Sequence, residues 1–112
     1  MDDDNLDQLM EIFYENAPYD YVLSFSERKP ARLRGLCSYE NKVCLVFKEE
    51  TYLDALWVML HELAHSLIQH KTHSEPWDRK FAELLEQYDY PKNLVSTQAE
   101  AIGPNLRKYM ES

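Results

Sequence analysis

From Thr51 to His70 the chain runs without a proline or a glycine, and Leu53, Leu56, Leu60, Leu63 and Leu67 recur along it at intervals of three and four. That spacing lays an apolar stripe down one face of an α-helix. A helix of this length reaches about 30 Å, roughly the diameter of a small domain. Any fold open to the chain is therefore built around this rod, and the other residues must supply the surface that covers its stripe.

Upstream, Leu6, Leu9, Met10 and Phe13 fall at i, i+3, i+4 and i+7 behind Asp2, Asp3 and Asp4, acidic residues suited to a helix N-terminus. They predict an amphipathic helix over residues 4–16, ended before Pro18. "YDYVLSFSER" is rich in β-branched and aromatic residues, and "KPAR" breaks it. Two more such runs, "RLRGLCSY" and "KVCLVFK", meet at Glu40 and Asn41. A two-residue turn there pairs Cys37 with Cys44 and Leu36 with Leu45. The segment from about 20 to 48 thus reads as three short antiparallel strands, the last from Lys42 to Lys48.

Beyond the long helix, "KTHS" is a loop. Ser74 is placed to cap a further helix with Pro76 in its first turn and Trp77, Phe81, Leu84, Leu85 and Tyr88 on its buried side. "YDYPKN" ends it. The tail over 96–111 has a helical pattern interrupted at Gly103 and Pro104. The fold class expected is α+β, in one domain over residues 1–112, since a chain of 112 residues fits a single core.

With 45% hydrophobic residues, eight Tyr, two Trp and four Phe, the chain has the apolar surface to fold, which excludes disorder. Its acidic opening, "MDDDNLDQ", is unlike a leader peptide, and no run approaches the ~18 apolar residues of a membrane span. A cytoplasmic, intracellular protein without membrane partners is expected. The net charge of −8 argues against direct nucleic-acid binding, which rests on neutralising phosphates with Lys and Arg. One basic cluster, Arg28, Lys29, Arg32 and Arg34, reads as a solvated hairpin sooner than as a phosphate site. Cys37 and Cys44 lack redox CxxC spacing and could face each other across a hairpin; two thiols are the expectation in a reducing compartment, with a disulfide as the alternative.

All four histidines lie between His61 and His73. On a helix His61 and His65 stand about 40° apart, one turn above the other, so both imidazoles can reach one ion. Glu62 sits beside them, completing HExxH, in which the histidines bind Zn²⁺ and the glutamate takes a proton from the attacking water. A bare match arises by chance in roughly one of a few hundred chains this long, so context decides. Here the motif is on a long apolar helix that follows a strand.

A catalytic zinc takes a third protein ligand and leaves its fourth position open. His70, if helical, points about 180° from His61. His73 lies in the following loop, where the chain can fold back, and is the preferred third ligand, with Glu83 and Glu86 of the next helix as alternatives.

"HELAH", then "HSEPW" and Phe81, preceded by the hairpin "RLRGLCSYENKVCLVF", resemble the SprT-like, WLM and YgjP-like zinc metallopeptidases over roughly residues 20–88. The resemblance implies a minimal zincin: a three-stranded antiparallel sheet packed on an active-site helix and backing helices. The outer strand, Lys42 to Lys48, would lie beside the cleft, open to β-augmentation by a peptide. It also implies one zinc per chain held by His61, His65 and His73, with Glu62 as general base, and hydrolysis of peptide bonds in protein substrates. Several relatives act on DNA-crosslinked proteins through basic or zinc-binding extensions. No such extension is expected of this chain, so DNA would reach it through a recruiting partner or the Arg28–Arg34 cluster. A zinc-containing peptide-binding module with weak turnover is the alternative of another class.

Overall fold

The computed structural model describes residues 1–70, 72–95 and 98. The tail expected to be helical over 96–111 lies outside the described residues, Gln98 excepted. The elements are α1 (Asp3–Asn16), β1 (Val22–Phe25), β2 (Gly35–Ser38), β3 (Val43–Val46), α2 (Tyr52–Ile68), α3 (Glu75–Gln87) and the short α4 (Lys92–Val95). No described helix is long and apolar enough to cross a membrane.

Each long helix starts on a residue whose side chain satisfies one of the amides the helix leaves free. Asp2 accepts the Asn5 amide at 2.9 Å, Thr51 that of Asp54 at 3.2 Å, and Ser74 that of Trp77 at 3.4 Å. α2 stops at Ile68, two residues before His70. Gln69 there turns left-handed (φ 61°, ψ 33°) and donates its N–H to the His65 carbonyl at 2.7 Å. A left-handed residue cannot continue the helix, and with a side chain it is uncommon.

The leucine stripe is only part of what α2 buries. Every residue from Ala55 to Ser66 is buried, whereas Leu53 and Leu67, at the stripe's ends, are half-buried. Ala55, Trp57, Val58 and Met59 fill the positions between the leucines, as in a helix covered on all sides. α1, α3, β2 and β3 all pack against it. Trp57 meets Phe81 of α3 edge-on at 4.7 Å and Tyr90 at 5.3 Å.

The sheet corrects the expectation of three antiparallel strands. Its order is β1-β3-β2, with β1 parallel to β3 and β2 antiparallel to it. β1 and β2 run in opposite directions, as hairpin partners would, but β3 lies between them. The apolar run Val43–Val46 suits a strand flanked on both sides. The long connection over residues 26–34 carries the chain across to the far edge. The pairs Leu36↔Leu45 and Cys37↔Cys44 are as expected, around a four-residue turn, Tyr39–Lys42. β3 is therefore not the outer strand; the edge nearest the histidines is β2.

Which of β2's backbone groups are free follows from one bond. Phe47 donates its N–H to the Arg34 carbonyl at 3.0 Å, which makes 34/47, 36/45 and 38/43 the hydrogen-bonded pairs. Gly35 and Cys37 then direct their N–H and C=O away from β3.

Candidate metal centre

α2 carries His61 and His65 one turn apart, both buried, and the loop between α2 and α3 returns His73 to them. One ligand atom from each of the three lies within 4.8 Å of the others, and His61 Nε2 is 3.1 Å from His73 Nε2. Nitrogens on a tetrahedral zinc at about 2.0–2.1 Å are about 3.3 Å apart. The closest pair already has that spacing. The three-histidine group can hold a metal ion.

The second ring nitrogens of His61 and His65 are occupied. His61 Nδ1 is 2.9 Å from Glu62 Oε2, and His65 Nδ1 is 2.7 Å from the carbonyl oxygen of His70. Both partners are acceptors, which places the proton on Nδ1 and leaves Nε2 as a lone pair. At 3.1 Å, His73 must then bring His61 a proton or share a cation with it. A metal-binding histidine whose second nitrogen is bonded to a carboxylate or carbonyl is the usual arrangement around an ion.

Trp77 forms a wall, stacked on His73 at 4.3 Å and on His65 at 5.1 Å. Burial pushes the His73 imidazole down to about 4, reinforced by His61 and His65; it also lowers His65, against the opposing effect of the His70 carbonyl. Both rings are thereby held neutral near pH 7, the state that can ligate a metal.

His70 stands apart. Its exposed side chain is 2.8 Å from Ser74 Oγ, and only its backbone enters the site. Its carbonyl accepts from His65 and also, at 2.7 Å, from the Tyr39 hydroxyl. Glu83 and Glu86 are exposed on α3, Glu83 paired with Lys80 at 3.0 Å, and neither joins the group.

Glu62 is buried at the junction of two cavities. One, of about 610 Å³, runs along β2 and its turn from Gly35 to Asn41 and ends on His61, Glu62 and His65. The other, of about 230 Å³, lies between Leu33, Trp57 and Val58, beside His73. Gly35 lines both. A Cβ there would sit 2.6 Å from Val58 Cγ1 and 2.9 Å from Glu62 Oε2, so only glycine lets β2 pass this close to α2.

Of the basic cluster, Arg34 is held by Glu49 at 2.8 Å and Gln98 at 2.6 Å, and Lys29 lies 3.5 Å from Glu50. The neighbouring glutamates thus offset two of its four cations.

Sequence reasoning passed over Gly35, Tyr39 and the His70 carbonyl. An isolated glycine within a strand pattern was a usable signal of close backbone approach; the Tyr39–His70 contact has no local signature. No protein-family model, curated protein or solved structure matches the chain.

Proposed function

We propose that this protein is a zinc-dependent metalloendopeptidase of the SprT-like, WLM and YgjP-like kind. The observation that carries the reading is the convergence of His61, His65 and His73 with Glu62 beside them, at the floor of a cleft bordered by the free edge of a strand.

Zinc, when bound, polarises a carbonyl and lowers the pKa of water toward about 7. The chain does the rest. His61, His65 and His73 hold the ion. Glu62 accepts the proton of the attacking water and passes it to the departing amine. A substrate in extended form lies along β2 and bonds the outward N–H and C=O groups of Gly35 and Cys37, adding a strand to the sheet. The pocket of Leu33, Trp57 and Val58 receives an apolar side chain next to the bond that is cut.

Glu62→Gln tests the mechanism. It keeps the ligands and removes the base, so zinc content measured by elemental analysis stays near one per chain. Hydrolysis of an unfolded protein substrate falls by about 10²–10⁴-fold. Full activity in this variant would sink the proposal.

A further inference from the structure

We propose that Cys37 and Cys44 are a disulfide-forming pair, a thiol-oxidation site set into the wall of the cleft. The inference stands on geometry independent of any metal. The two residues are direct partners across β2 and β3, at a pair whose backbones do not bond each other. At such positions side chains approach most closely and Cα atoms lie about 4.5 Å apart, within the range a disulfide spans. The thiols are free and already touch: Cys44 Sγ donates to Cys37 Sγ at 3.7 Å. Closing to a bond of about 2.05 Å asks the sulfurs to move by less than ~2 Å, which two χ1 rotations can supply.

The two thiols differ in access, and that sets the order of events. Cys37 is half-buried and lines the 610 Å³ cavity together with His61, Glu62 and His65, so a small oxidant in the cleft meets it first. Cys44 is fully buried behind it, its sulfur 3.5 Å from the Glu62 carbonyl oxygen. Its thiol is pushed up, first by the hydrogen bond to Cys37 and then by burial. Cys44 Sγ, 3.7 Å from Cys37 Sγ, is the thiol placed to attack that sulfur once it is derivatised.

The oxidant class is a low-molecular-weight disulfide such as glutathione disulfide. The Cys37 thiolate attacks one of its sulfurs, forming a mixed disulfide and expelling one thiolate. Cys44 then loses its proton and attacks Cys37 Sγ, forming the Cys37–Cys44 bond and expelling the second. Two protein thiols are oxidised and one small disulfide is reduced to two thiols, which carry off both protons. The bond ties the edge strand of the cleft to the centre of the sheet, directly under Glu62.

The test is to incubate the intact protein, zinc-loaded and zinc-free, in buffers of graded reduced to oxidised glutathione, and to read intact mass and free thiols in denaturant. The expected result is loss of both thiols together, a mass lower by about 2 Da, no retained glutathione, and a melting temperature raised by a few degrees. Cys44→Ser is expected to hold one glutathione on Cys37, and Cys37→Ser to stay unmodified while folded. Persistence of both thiols under oxidising buffer, a stable glutathione adduct on the parent protein, or a disulfide-linked dimer each overturns the proposal. The parent protein alone decides the matter if a serine variant fails to fold, and because thiols are read, the outcome is separate from that of Glu62→Gln.

Discussion

His61 and His65 are presented by the most enclosed helix of the molecule; His73 is presented by a loop. The helical pair needs nothing beyond the 3.6-residue period and the burial of residues 55–66 to face one point. The loop histidine depends on contacts distributed over the fold. Gln69 ends α2 in a left-handed turn, the His70 carbonyl is held by His65 and Tyr39, Ser74 starts α3, and Trp77 stacks on the ring. The three histidines of one site thus owe their positions to two kinds of order. The first is local and repetitive, while the second is assembled from distant parts.

The largest effect that can break this contrast is ligand removal. His65→Ala and His73→Ala should each weaken zinc binding by more than the about 10–100-fold that loss of an outer partner costs, while His70→Ala leaves it nearly unchanged. Competition with a chromophoric chelator measures this. A His70 effect as large as that of His73 would mean that the loop histidines exchange roles.

Next in size is Gly35→Ala, which acts on the helical side by driving a methyl into Val58 and Glu62. A loss of about 1–3 kcal/mol is expected in urea unfolding of the metal-free protein, with weaker hydrolysis by whatever remains folded. On the loop side, Tyr39→Phe removes one of the two bonds to the His70 carbonyl. It should lower zinc affinity by roughly tenfold with little change in the melting temperature. If Tyr39→Phe matched His73→Ala, the loop would depend on that hydroxyl alone.

The remaining expected effect is in pH. His73 is held down to about 4 in the folded chain and titrates near its ordinary value when unfolded. Between about pH 6.5 and 4 the unfolded state binds the extra proton, so metal-free stability falls as pH drops through that window and is fully present above it. Melting scans at pH 7 and pH 5 should show the fall, and His73→Gln should reduce it.

What was legible in the sequence divides along the same line. The period of α2, the Ser74 cap, the Leu36↔Leu45 and Cys37↔Cys44 register and the pairing of His61 with His65 follow from short-range spacing, whereas His73 was reachable only as a loop residue free to fold back. The enclosure of α2 was also open to reading, because Ala55, Trp57, Val58 and Met59 carry apolar surface round the helix beyond the leucine stripe. The insertion of β3 between β1 and β2 was not. Strand direction alone cannot say which of two edges a third strand will take, and the packing of α1 on both β1 and α2 that accompanies this order exists only in the folded state. Tyr39 was equally hidden, since its partner is a backbone carbonyl 31 positions away.

The parallel pairing of β1 with β3 also bears on how the molecule forms. The β2–β3 hairpin closes over a four-residue turn and the α2–α3 pair over a short loop, so both are reachable early and on their own. β1 pairs at a separation of 21 residues, Val22 with Val43, and so carries the larger loop-closure cost. Until it docks, β3 has an unpaired apolar edge, which invites pairing with another chain. Tyr14 of α1, which accepts the Leu23 amide at 3.1 Å, helps bring β1 in. The N-terminal helix and first strand thus cover the edge of β3 that would otherwise stand open to pairing with another chain.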